Sequence, residues 1–383
     1  MEKQTDLLII GAGPFGLAMA AYAGHLDIDH ILVGKPMAFW KEHMPAGMVL
    51  RSACDWHLDP TDVHTIKRYL ESQGRKPADV EPLSLQFYLG YAQWFQEQAK
   101  LEPIPAHVHR LDVKNHISAG FQAELENGGS IRAKYVALAI GFKHFAHEPP
   151  KLIDRLPDGS FEHTCDLVDP ENMRDRRCLI VGGRQSAFEW AALLNEAGAA
   201  AIHISHRHDS PRFAEADWSW VSPLVERFNH EPGWYRRLSS EEREAVNYQF
   251  WVEGRLKVEP WLEPRLRTSK IKVWPRTQII SARRERGEIV VQLGSGDSLT
   301  VDQIILATGY KADIMKAPFL AQDNLLAKLA LKNGCPVLND HLETTIPGLF
   351  TTSLLATQDF GPFFAFTVSA RTSARVVISA IVG

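Results

Sequence analysis

The residues of this chain best suited to chemistry are glycines at two strand ends. Gly11-Ala12-Gly13-Pro14-Phe15-Gly16 follows the apolar run Leu7-Leu8-Ile9-Ile10 and opens an alanine-rich stretch. This is the spacing of a dinucleotide-binding turn. Gly11 permits a tight turn, Gly13 lets the backbone approach a pyrophosphate, and Gly16 lets a helix pack on the strand. Free N–H groups and the helix dipole then face the phosphates, with Pro14 and Phe15 among the binding residues. A second turn, Gly182-Gly183-Arg184-Gln185-Ser186-Ala187, comes after Cys178-Leu179-Ile180-Val181. Ala187 stands there for the third small residue, and Gln185 and Ser186 are read as ligands of a second dinucleotide's phosphates.

The strand after each turn sets the dinucleotide. The strand His30–Val33 ends in Gly34-Lys35, with no acid for the ribose hydroxyls. The Lys35 amine or the Gly34 backbone takes that task. The strand after the second turn ends Ser205-His206-Arg207-His208. Arg207 suits a 2′-phosphate, which points to NADPH. The alternative is a solvated loop charge.

These turns need elements to hold them. Each comes after a β run, opens a helix and leads to a second β run, so the chain contains two βαβ openings. Two more runs end in glycine, Tyr135–Gly141 and Gln303–Gly309, each after a Gly-containing hairpin signal. Residues 211–264 carry Trp218, Trp220, Trp234, Trp251 and Trp261, half of the ten tryptophans, and read as a proline-broken helical insert over a site. Ser239 or Ser240 caps a helix there.

Composition bounds the remainder. The 383 residues are 45% hydrophobic and 23% charged, ordinary globular usage. With 42 basic against 46 acidic side chains, no surplus exists to hold nucleic acid. Four cysteines form no C-x-x-C, which argues against a dithiol enzyme. His203, His206 and His208 stand close together in the sequence, but a metal site is not expected from them. No apolar run suits a signal peptide or a membrane span, so a cytoplasmic chain with no membrane association is expected. A homo-oligomer stays open.

With both turns and both glycine-ended strands in view, the chain resembles the two-dinucleotide-domain flavoproteins of the pyridine nucleotide-disulfide oxidoreductase superfamily. Within them it is most similar to the class B flavin monooxygenases, the group of the N-hydroxylases and Baeyer–Villiger enzymes. Besides the turns, the matches are Leu306-Ala307-Thr308-Gly309-Tyr310 and the flavin-covering stretch from Phe39-Trp40 through Met48 and Leu50-Arg51-Ser52 to Asp59-Pro60. The resemblance implies an α/β fold of two Rossmann-like domains, with the NADP domain inserted in the FAD domain. FAD binding is placed in residues 1–168 and 300–383, and NADPH binding in 169–299. Trp40, Met48, Thr308 and Gly309 would touch cofactor, and Gly361 and Phe363 would cap the flavin ring.

The implied activity is monooxygenation of a small heterocyclic or amine-containing molecule with NADPH and O2, through a C4a-(hydro)peroxyflavin. The cofactor carries that chemistry and the protein supplies position and dryness. Arg51 is the candidate catalytic residue, at the nicotinamide or the oxygenated flavin; the alternative is an ion pair with Asp55 or Asp59. The departures narrow the substrate. Pro157 and Leu167 replace the aromatic ends of the Baeyer–Villiger motif around Gly159 and His163, and Cys54-Asp55 stand where the N-hydroxylases carry a lysine. Two other functions stay open: an NAD(P)H-dependent flavin reductase without oxygen insertion, and a non-catalytic FAD-binding sensor.

Overall fold

The structure, a computed structural model, describes residues 2–114, 120–167 and 169–383. β1 (Glu2–Ile10) leads through the first glycine turn into α1 (Pro14–His25) and back to β2 (His30–Val33). β3 (Val108–Val113), β4 (Phe121–Leu125) and β5 (Ser130–Leu138) come next as an antiparallel meander. β1 pairs in parallel with both β2 and β5. The first half of β1 is largely exposed while Leu7, Leu8, Ile9 and Ile10 are all buried. A continuous apolar run is what a strand covered on both faces requires.

The chain returns to this sheet near its end, where Leu349–Thr351 pairs in parallel with β5. The C-terminal helix Ala370–Val382 then packs on α1. Arg371 and Arg375 fasten that helix to Asp62 at 2.8 and 3.0 Å. α1 sits close on its strand because position 16 has no side chain: a Cβ on Gly16 would lie 1.7 Å from the Gly11 carbonyl oxygen.

The second sheet holds β6 (Phe161–His163), β7 (Arg177–Val181), β8 (Ala201–Ser205) and the strands Ile271–Trp274 and Gln303–Leu306, all parallel. α2 (Gln185–Glu196) links β7 to β8. A separate three-stranded antiparallel sheet, residues 279–301, precedes Gln303–Leu306. Two α/β units are therefore present, each with a meander before its last parallel strand.

The expected division moves at both ends. Residues 161–163 and 303–306 leave the first unit, because β6 and Gln303–Leu306 bond to the second sheet. The glycine that closes Gln303–Gly309 imitates the end of β5, and the two strands are equivalent parts of different units. Residue 168, an expected domain boundary, lies outside the described residues.

In the tryptophan-rich region, Ser239 caps the helix Ser240–Arg255: its hydroxyl accepts from Glu242 N–H while the Glu242 carboxylate accepts from Ser239 N–H. Among the described residues, no helix is long and apolar enough to cross a membrane.

Candidate functional site

Both glycine turns open onto one cleft of about 1470 Å³. Gly11, Gly13, Pro14 and Phe15 line it from the first unit, and Gly182, Gly183, Gln185 and Ser186 from the second. Lys35, Trp40, Met48, Arg51, Arg207, Thr308 and Gly309 also line it. Expected residues from separate stretches of chain thus meet in one place.

The turns have the shape of pyrophosphate cradles. Gly11 (φ +109°) would place a Cβ 2.3 Å from the Ala139 carbonyl oxygen, and Gly182 (φ +154°) would place one 2.4 Å from that of Ala307. Only glycine fits at either point. At Gly13, by contrast, a Cβ would meet nothing within 4 Å. That position is open on the ligand side. α1 starts at Pro14 with no side-chain cap, so its N-terminus is left for an anion.

A further group fits a bound dinucleotide. Ser353 lines the cleft, is 1% exposed, and carries a hydroxyl with no partner among the described residues. Its φ of +61° is costly for a non-glycine residue. A buried hydroxyl without a partner is destabilising, and a ligand oxygen in the cleft would satisfy it. Nothing in the sequence singles Ser353 out; its neighbours Thr352 and Leu354 give no local signal.

Arg51 is held by the second unit. Its Nε donates to Glu259 at 2.7 Å, and its Nη groups donate to the Gly254 and Glu253 carbonyls at 3.1 and 3.2 Å. Its guanidinium lies over the Trp218 ring at 5.4 Å. Of the alternatives drawn from the sequence the ion pair is present, but the partner is Glu259, 208 positions away, and not Asp55 or Asp59. Arg51 therefore joins the stretch after Met48 to the end of the helix Ser240–Arg255.

Arg207 has company. Arg184, in the second turn, and Arg255, at the end of the insert helix, line the same cleft. Arg184 Nη1 donates to the Arg255 carbonyl, and its guanidinium lies over Trp251 at 5.6 Å. Burial and then the charges of Arg255 and Arg207 hold its guanidinium below the usual arginine range. Three cations on one stretch of wall suit a multiply charged anion. The His206 and His208 rings stack with centroids 4.7 Å apart, while His203 Nδ1 accepts from the Trp274 indole at 3.2 Å.

Glu189, one turn into α2, is another group that the sequence alone does not mark as functional. It is 3% exposed, lines the cleft, and accepts from Val49 N–H at 2.6 Å. Burial pushes its carboxyl up to about 7. Its signal is the acid in Ser186-Ala187-Phe188-Glu189, on the buried face of an otherwise apolar helix.

Several expectations are corrected. Gly361 and Phe363 do not line the cleft. Phe363 is fully buried, packed between Trp234 and Phe364 with centroids at 6.4 and 6.0 Å, and Pro362, Ala365 and Phe366 face the cleft in its place. The run Phe360-Gly361-Pro362-Phe363-Phe364 is apolar throughout, so only the tight 3-10 turn decides which ring points inward. Gly16 serves packing and lies off the cleft wall. Lys35 faces the cleft, half-exposed, with its amine 3.8 Å from Glu42. Of the five insert tryptophans, Trp218 and Trp251 line the cleft. Trp56 lines it too, whereas His57 is buried against Arg371 at 2.9 Å.

The four cysteines are free and buried. Burial pushes the thiols of Cys54, Cys165 and Cys178 up to about 12 and that of Cys335 up to about 11. None is a ready thiolate near neutral pH.

Comparison with known proteins gives the family and the fold. Residues 8–233 match the family model described as pyridine nucleotide-disulphide oxidoreductase. A ferredoxin–NADP reductase of Flavobacterium psychrophilum is 26% identical over 215 residues, 55% of this chain and 54% of that one. The chain spans about half the length of the first curated relatives it matches, 54–58%. The fold is shared along nearly the whole chain with the ornithine N-hydroxylase of Kutzneria sp. 744, solved with reduced FAD, NADP+ and L-ornithine: TM-score 0.79, 14% identity, 99% of both chains. The ornithine hydroxylase of Pseudomonas aeruginosa has a TM-score of 0.77 at 18% identity, over 99% of this chain and 98% of that one.

Proposed function

The chain belongs to the pyridine nucleotide-disulphide oxidoreductase family, and from that premise we propose that it is a flavin monooxygenase using FAD, NADPH and O2 on a small heterocyclic or amine-containing molecule. The observation that carries this reading is the single cleft. Two dinucleotide turns from two units open onto it, which is what direct hydride transfer between two bound dinucleotides requires. Bound FAD would accept hydride from NADPH and activate oxygen.

The chain's own residues bind, orient and exclude water. The first turn, Gly11 to Phe15, and the Ser353 hydroxyl would hold FAD, with Trp40 and Met48 against it and Thr308 and Gly309 at the joint between units. Gly182, Gly183, Gln185 and Ser186 would hold the NADPH pyrophosphate, and Arg207, Arg184 and Arg255 its 2′-phosphate. The Arg51–Glu259 pair positions the flavin-covering stretch against the insert. Its guanidinium Nε and both Nη groups are already engaged, so its part is to close the cleft. The division into an FAD unit and an interposed NADPH unit follows the two sheets.

Disulfide chemistry, the namesake of the family, is disfavoured: four separate buried thiols with raised pKa values supply no redox pair. The apolar corner of Trp56, Trp218, Phe250 and Phe366 favours oxygen insertion, because it offers a dry place for an organic substrate in the same cleft. The second reading, an NADPH-dependent flavin reductase without oxygen insertion, is favoured by relatives named ferredoxin–NADP reductase. Mixing the NADPH-reduced, FAD-loaded protein with isotopically labelled dioxygen in the presence of a panel of small heteroaromatic and amine-containing molecules separates the two. Label in an organic product supports the monooxygenase; reoxidation with label only in peroxide or water supports the reductase.

A further inference from the structure

Four aromatic rings from distant segments form one wall of the cleft. Trp56 meets Trp218 edge-on with centroids 6.5 Å apart, Trp218 meets Phe250 at 5.3 Å, and Phe250 meets Phe366 at 5.4 Å. All four line the cleft, and Phe366 keeps 41% of its surface uncovered. A large apolar side chain left uncovered inside a concavity is available to a ligand.

Of the charges near this wall, Arg51 and Glu189 are engaged, and Arg255, which also lines the cleft, is assigned to the NADPH 2′-phosphate. Arg51 pairs with Glu259 at 2.7 Å, so a substrate carboxylate would have to displace Glu259 to reach the guanidinium. A substrate ammonium fares no better. Arg51 already occupies the Trp218 face and repels a second cation from that ring, and the Glu259 carboxylate is paired with Arg51 and does not line the cleft. Glu189 accepts from the Val49 amide. Asn247 offers a polar group that remains available. It lines the cleft, and its Oδ1 accepts from the Tyr235 hydroxyl at 3.1 Å, which leaves its amide N–H groups to donate.

From this wall we infer that the substrate is an uncharged, planar aromatic or heteroaromatic molecule carrying a hydrogen-bond acceptor, stacked among Trp56, Trp218, Phe250 and Phe366 with the acceptor at Asn247. A zwitterionic amino acid or a diamine is refused. The inference rests on the monooxygenase reading and narrows it. Loss of one ring's stacking and apolar contact weakens such a ligand by about tenfold or more.

The test uses the full-length, FAD-loaded, oxidised protein in equilibrium dialysis at mildly alkaline pH. The probes are quinoline, neutral with one ring acceptor, and L-ornithine. The expected result is saturable one-to-one binding of quinoline and none of ornithine. Trp218→Ala and Phe366→Ala each weaken quinoline by at least about tenfold, and Trp218→Phe recovers most of it. Phe366 is at the rim of the wall, so Phe366→Ala answers the question if Trp218→Ala does not fold. Saturable ornithine binding, absence of quinoline binding, or quinoline binding untouched by Phe366→Ala overturns the inference. The monooxygenase reading fails separately, when the wild-type flavin is not reduced by NADPH, or when its reoxidation by O2 oxygenates no member of a panel of heteroaromatic and amine-containing molecules.

Discussion

Replacing Glu189 by glutamine tests how the two units are joined. The carboxyl is 3% exposed and makes no ion pair among the described residues: Arg265 is bound to Glu196 and Arg51 to Glu259. Burial raises its pKa from 4.5 to about 7. A carboxyl raised in the folded state binds more protons there than in the unfolded chain between those two values. Its contribution to stability is therefore complete below about pH 4.5 and is lost as pH rises through about 7. The shift corresponds to about 3 kcal/mol, most of it lost between about pH 5 and pH 7.5. Glutamine keeps an oxygen to accept from Val49 N–H and removes the charge. In urea unfolding followed across this range, Glu189→Gln should gain about 3 kcal/mol on the wild type from the acid end to the alkaline end. A wild-type-to-variant difference that stays flat with pH would refute the reasoning, because Glu189 would then titrate as an ordinary carboxylate.

Three further substitutions address the cleft. Gly11→Ala puts a methyl group 2.3 Å from the Ala139 carbonyl oxygen, so the purified variant should lose bound FAD, read as the flavin-to-protein absorbance ratio. Arg207→Ala should raise the KM for NADPH about ten- to a hundred-fold and leave that for NADH nearly unchanged; equal effects on both would remove Arg207 from the 2′-phosphate. Arg51→Gln breaks the bond to Glu259 and leaves a largely buried carboxylate unpaired, so the thermal midpoint should fall, and limited proteolysis should cut the insert around Glu253 to Glu259 faster than in the wild type.

The parts of the site legible in the sequence are those that local geometry dictates. Gly11, Gly13 and Gly182 announce themselves because a tight turn and a backbone approach exclude side chains there, and neighbouring residues carry the signal. The capping box at Ser239 is readable for the same reason. Contacts decided by long-range packing are not. The partner of Arg51 lies on another unit, so the nearby Asp55 and Asp59 look equally suitable. Phe363 and Phe366 differ only in which side of a short turn they occupy. Arg184 stands in the second glycine motif, yet its meeting with Arg255 depends on how the insert folds back. Which sheet Gln303–Leu306 joins is not legible either, since a buried parallel strand has the same composition in either unit. Glu189 is legible in principle: an acid on the inner face of an apolar helix is either paired or perturbed.

The most direct test of the central claim is anaerobic titration of the FAD-reconstituted protein with NADPH, monitored by visible absorbance. One cleft serving two dinucleotides predicts stoichiometric flavin binding, loss of the oxidised-flavin colour by one equivalent of NADPH, and failure of that bleaching in a Gly182→Ala variant that still holds FAD. A protein that takes up no flavin, or whose bound flavin keeps its colour under excess NADPH, contradicts it.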